Sequence, residues 1–191
     1  MLPVYLGDAK FWRLLFQIDE DLADVARADG CPHCAGVLHG ANYPRKARGL
    51  SHALLGERYE YRLSLCCARE GCRRRTTPVS VRFLGRRVYL ATLVVLVTAL
   101  AHGLGGTARA QLCTQFGIAP RTLRRWQRWW HEVFPATRWW RGARGRFMPV
   151  LEAHELPGVL FERFAAAEPA KQMCEVLTFL APLSVGAGQV I

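Results

Sequence analysis

Two short cysteine pairs constrain this chain more than any other feature, because they must meet in space across a long stretch of sequence. Cys31-Pro-His-Cys34 and Cys67-Ala-Arg-Glu-Gly-Cys72 are separated by 32 residues. Zinc takes four ligands at tetrahedral geometry, and two tight turns that each aim two sulfurs at one point supply them. The pattern therefore implies a structural Zn2+ on Cys31, Cys34, Cys67 and Cys72. Four thiolates close the coordination shell and leave no open position for water, so catalysis at the metal is not expected. Cys66 is the alternative to Cys67; strand alternation aims the two neighbours to opposite faces, and the four-residue spacing to Cys72 favours Cys67. His33 and His39 are the other substitutes, His33 expected to point outward from between two ligands and His39 to lie on the surface. Cys113 and Cys174 read as buried free thiols.

Tyr59 to Leu65 runs into the second pair with strand-like alternation, and Thr77 to Leu84 leads away from it as a second candidate strand. With the cysteine turns, this resembles a zinc ribbon, which implies a small β module near residues 29 to 85.

The stretch from Thr107 to Phe134 carries the second constraint. It breaks at Gly117, a residue suited to a helix end with positive φ, and restarts at Pro120, whose fixed φ suits a first helical position. At roughly 100° per residue, Leu123, Trp126, Trp130, Val133 and Phe134 fall on one stripe, and Arg121, Arg124, Arg125 and Arg128 fall on the opposite side. This spacing resembles the helix-turn-helix of bacterial DNA-binding proteins, with Gly117 in the turn, Leu112, Phe116, Ile118, Leu123 and Trp126 at its apolar positions and Cys113 at its small one. The preceding run, residues 88 to 104, is the most apolar. It is shorter than the roughly 20 residues a bilayer core needs and contains His102, so it reads as the buried first helix of a tri-helical domain and not as a membrane span.

Charge points the same way. Of a net +11, residues 45 to 146 hold 21 of the 26 Lys and Arg and only four acids, a net of +17, while residues 1 to 44 and 147 to 191 each come to −3. A basic block of arginines implies a polyanionic partner, with double-stranded DNA the best match to bidentate phosphate and guanine contacts. Arg121, Thr122, Arg124, Arg125 and Arg128 are the candidates for the major groove. Arg45, Lys46, Arg48, Arg73, Arg74 and Arg75, together with Arg82, Arg86 and Arg87, are candidates for the phosphate backbone.

Residues 8 to 28 read as an amphipathic helix capped by Asp8 and stopped by Gly30, with Phe11, Leu15, Ile18, Leu22 and Val25 on its packing face. Arg138 to Arg146 reads as a basic arm or loop, and residues 149 to 181 as two short packing helices, the second between Pro169 and Pro182. No signal peptide is visible and the cysteine count is odd, which favours a reducing compartment; the expected location is cytoplasmic, on the nucleoid.

Taken together, the fold class is α+β, mostly α, in four parts: 1 to 28, 29 to 85, 86 to 140 and 141 to 191. Zinc ribbon followed by helix-turn-helix resembles the DNA-recognition regions of transposases and the accessory proteins of bacterial insertion elements, and the cysteine spacing is similar to that of phage zinc-finger transcription activators. The resemblance covers residues 31 to 134. It implies recognition of mobile-element or promoter DNA, with a transposase or a second copy of the chain as protein partner. An enzyme is not expected: all five aspartates lie at or before position 29, no phosphate-binding Gly-Lys loop is present, and the last tyrosine is Tyr89.

Overall fold

The computed structural model describes residues 3–45, 47–49, 56–85 and 87–185. Lys46 and Arg86 lie outside the described residues. The first long helix, α1, spans Ala9–Asp29. The Asp8 carboxylate accepts from the Lys10 amide at 2.8 Å to start it, and Gly30, at φ 75°, ends it. Its buried side is Phe11, Trp12, Leu15, Asp19 and Ala23, while Ile18 and Leu22 are only half-buried and Val25 is exposed. The packing face is thus rotated from the purely apolar stripe expected. A buried carboxylate, Asp19, stands at its centre and meets a buried arginine.

After the first cysteine turn come five short strands: β1 (Leu38–Gly40), β2 (Tyr43–Pro44), β3 (Tyr61–Arg62), β4 (Leu65–Cys67) and β5 (Arg75–Thr76). They form two small antiparallel sheets, β1-β4-β5 and β2-β3. Leu38 pairs with Cys67 and Leu65 with Thr76, so the register hangs the cysteine turns from adjacent strand ends. The expected strand from Thr77 to Leu84 is not formed. Pairing stops at Thr76, and Val81, Phe83 and Leu84 turn into the main core. Asp19 draws the chain away: it accepts the Val81 amide at 2.7 Å, a group that a ladder would otherwise have used.

Helix α2 (Ala91–Leu100) is buried over nearly its whole length and packs on α4 (Pro120–Arg128), α6 (Gly158–Arg163) and α7 (Pro169–Leu180). Between α2 and α4 lies α3 (Gly106–Gln115). The α3–α4 turn places Gly117 at φ 60°, with Pro120 at the start of α4. A wider π turn, Trp129–Val133, prolongs α4. One apolar cluster then joins residues of α1, α2, α4, α6 and α7 with the 81–84 segment. No helix among the described residues is long and apolar enough to cross a membrane.

Arg138 to Arg146 forms no arm. Thr137 caps α5 (Arg138–Ala143), its hydroxyl accepting from the Trp140 amide, and a 3-10 turn, Arg144–Arg146, follows. Trp140, Ala143 and Phe147 bury one side of this segment, and that burial holds the arginines between them in helical turns with their side chains in solvent.

Candidate metal centre and cationic face

Each cysteine pair closes a hydrogen-bonded turn. Cys34 and Ala35 donate their amides to the Cys31 carbonyl at 3.3 and 2.8 Å; Cys72 and Arg73 donate theirs to Arg69 at 3.1 and 3.3 Å. Ala35 and Arg73, the residues just past each turn, are left-handed at φ 55° and 45°. The turns bring the sulfurs of Cys31, Cys34, Cys67 and Cys72 within 4.8 Å of one another, with Cys31 to Cys72 at 3.7 Å and Cys34 to Cys67 at 3.5 Å. Tetrahedral zinc with Zn–S bonds of about 2.3 Å separates its sulfurs by about 3.8 Å, so the donor set fits such an ion. Gly36 packs closely on this cluster: a β-carbon there would stand 3.2 Å from the Cys67 sulfur and 3.4 Å from that of Cys34.

The sulfurs also have backbone donors. The Gly36 amide, helped by the other thiols, lowers the Cys34 thiol to about 7. The Arg69 amide acts in the same direction on Cys67, but burial and the three neighbouring sulfurs outweigh it and push that thiol up to about 12. Four thiols at this spacing cannot all ionise without a cation among them. Cys66 is not in the group. It lies on the opposite side of β4, partly exposed, with its sulfur 3.4 Å from the Arg73 carbonyl. His33 is exposed and meets Arg74 Nη1 at 3.1 Å, and His39 is exposed on β1.

On α4, Leu123 and Trp126 are buried, as is Trp130 beyond it, and Arg121, Arg124, Arg125 and Arg128 are exposed with Thr122 half-buried between them. From Thr107 to His131 the sequence has no acidic residue. Arg128 Nε reaches Glu132 at 2.7 Å across one exposed helical turn, a solvent-screened pair that contributes little to stability. Arg73, Arg74 and Arg75, just past the second cysteine turn, are exposed, with Arg75 bonded to the Ala41 carbonyl at 2.9 Å; Arg48 is exposed as well, but its backbone pairs with Val88 and Leu90 at the entry to α2.

Among the described arginines of the basic block, Arg62 and Arg82 are buried and Arg45 is half-buried, and all three are tied to backbone carbonyls. Arg45 turns inward, its Nη2 donating to the carbonyls of Gly85 at 2.8 Å and Arg87 at 3.0 Å, so its cation ties a loop and does not face a ligand. Arg82 is fully buried. Its Nε donates to Asp19 at 2.7 Å and its other nitrogens to the carbonyls of Tyr59 and Tyr61 at 2.7 and 3.0 Å, and this carboxylate partner drew it into the core. Arg62, also buried, donates to the Pro78 carbonyl. The signal for Asp19 was present in sequence, since it follows Leu15 and precedes Ala23 by four residues each on one helical stripe. Its partner, 63 residues away, carried none.

No protein-family model, curated protein or solved structure gives a significant match to this chain.

Proposed function

We propose that the chain is a sequence-specific double-stranded DNA-binding protein, with α3 and α4 as a helix-turn-helix and the four cysteines holding a structural Zn2+ in a zinc ribbon. One observation carries it: α4 buries its apolar stripe and leaves four arginines on the other side with no acid in the surrounding 25-residue stretch. Arg121 stands in the first turn, where the helix dipole already presents partial positive charge, so an external anion offsets a local repulsion. In the complex, Arg121, Thr122 and Arg124 lie toward base edges, and Arg125 and Arg128 toward phosphates. Arg73, Arg74 and Arg75 of the ribbon, with Arg48, add backbone contacts. The target is a mobile-element end or a promoter, read alone, as a homodimer or beside a transposase.

The test is duplex binding as a function of salt, with sequences selected from a random pool and a metal count on the same protein. Each phosphate neutralised contributes about −0.9 to the slope of log affinity against log salt, so a steeply negative slope is expected. Arg124→Ala should cost about 1–3 kcal/mol at one base position and relax choice there. A flat slope or absent binding would move the assignment to a zinc-ribbon module for protein interaction, and a partner supplying catalytic carboxylates would make the chain the recognition subunit of a transposase.

A further inference from the structure

The cationic side of α4 ends at a pocket of about 580 Å3 whose lining includes Arg87, Arg125, Trp126, Arg128 and Trp129. Arg87 arrives there from the loop before α2, and its guanidinium carbon lies 4.0 Å from the centre of the Trp129 ring. Its Nη1 donates to the Leu84 carbonyl at 3.3 Å, the one hydrogen bond of this side chain among the described residues. Burial, and then repulsion from Arg125, lower the Arg87 guanidinium to about 10, which still leaves it a cation at neutral pH. Neither Arg87 nor Arg125 has a carboxylate partner among the described residues; the nearby Glu132 pairs with Arg128 on the exposed helix surface. Three arginines thus line one recess, and the lining residues include no acid among the described residues.

Stacking on an indole holds a guanidinium in a fixed plane, so less freedom is lost when it engages a ligand. The planar fork matches two oxygens of a tetrahedral oxyanion better than it matches chloride or a lone acceptor. Arg87 covers a face of Trp129, which disfavours a stacked base and favours an anion at the guanidinium edges. We propose that Arg87, Arg125 and Arg128, with Trp129 as the positioning platform, form a phosphate clamp, and that in the DNA complex the clamp takes one backbone phosphate beside the groove-facing residues of α4. The source of that phosphate rests on the DNA-binding assignment; the clamp itself does not.

Two measurements on the full chain, loaded with zinc, separate the cases. The first is the thermal midpoint in inorganic pyrophosphate against chloride at matched ionic strength. The second is the salt dependence of duplex affinity. For the wild type, pyrophosphate should raise the midpoint by several degrees, and Arg87→Gln should abolish the rise while reducing the magnitude of the salt slope by about 1, evenly across sequences. Arg125→Gln, at an exposed residue whose side chain has no hydrogen bond among the described residues, should do the same and carries the test should Arg87→Gln fail to fold. Trp129→Phe should weaken the pyrophosphate effect severalfold with the charges unchanged. An unaltered slope in both glutamine variants together with no pyrophosphate effect on the wild type would overturn the clamp and leave DNA binding standing. An Arg87-dependent pyrophosphate effect in a protein that binds no duplex would support the clamp, make free phosphate compounds its ligand and overturn its role on DNA.

Discussion

Ala35 and Gly36 are neighbours in one cysteine turn, yet opposite substitutions should have opposite effects. Ala35 holds φ 55°, where a β-carbon crowds its own carbonyl at a cost of about 1–2 kcal/mol, and glycine at that position gives back less than this through the freer unfolded chain. Ala35→Gly should therefore stabilise the metal-loaded protein by about 0.5–1 kcal/mol, read as a higher denaturant midpoint with unchanged metal content. Gly36→Ala would drive a methyl to 3.2 Å from the Cys67 sulfur, which a competitive chelator should report as metal held about tenfold or more weakly. Equal metal retention in both variants would show that the sulfurs are not fixed by this turn. Elsewhere the decisive residue is Asp19, whose carboxylate accepts from Ser80 Oγ at 2.5 Å, the Val81 amide at 2.7 Å and Arg82 Nε at 2.7 Å. Asp19→Asn strands a buried guanidinium and should cost about 3–5 kcal/mol in chemical denaturation, while Asp19→Leu with Arg82→Met removes both charges and should cost clearly less. Additive losses in the double variant would show that the pair acts as two independent residues.

At the scale of the elements, what was legible follows from how locally each one is specified. The turn between α3 and α4 is written in two residues. Gly117 has φ 60° and open space where a β-carbon would stand, so Gly117→Ala carries only the backbone penalty, about 1–2 kcal/mol by thermal or denaturant unfolding, with duplex affinity kept when binding is measured well below the melting midpoint. A loss far larger than this would mean that the turn touches more than its own backbone. Helix α1 could be bounded from Asp8 and Gly30, and α7 from Pro169, because caps and proline act within a turn of where they stand. The clustering of the four cysteines was legible for a similar reason: two spacings fix two turns, and strand alternation separates Cys67 from Cys66. The Arg138–Ala143 helix was not, because its arginines dominate the sequence and only the Thr137 cap and the spacing of Trp140, Ala143 and Phe147 betray a buried side. Val79, Val81 and Phe83 alternate like a strand but satisfy Asp19 and the core instead of a ladder, a choice made by a residue some 60 positions earlier. The same long-range pairing took Arg82 out of the cationic surface, and carbonyl acceptors likewise turned Arg62 and Arg45 inward, which charge counting alone cannot foresee.

Over the whole molecule, two buried clusters of very different size decide how metal and fold depend on each other. The larger cluster draws on helices from α1 to α7, whereas the one around the cysteines has only Cys31, Leu38, Leu65 and Cys67 fully buried, with Ala26, Cys34 and Cys72 against it. Two buried leucines offset little of the chain entropy that ordering the small sheet costs, so on the proposed zinc assignment the four-thiolate ion supplies much of what holds it. The helical body has no such need, and Arg82 joins its core to the strands through the carbonyls of Tyr59 and Tyr61. Removing the metal with a strong chelator should therefore erase amide protection at Leu38–Gly40 and Leu65–Cys67 while α2, α4 and α7 keep theirs and the far-ultraviolet helical signal changes little. Duplex affinity should fall, because Arg73, Arg74 and Arg75 lose their fixed positions, but the contribution of Arg121 and Arg124 should persist and the order of preferred sequences should be unchanged. Loss of helix protection in the same step as the metal would make the chain one cooperative unit and the cysteine cluster part of its main core. Unchanged affinity without metal would leave the arginine-bearing helix as the sole grip on the duplex.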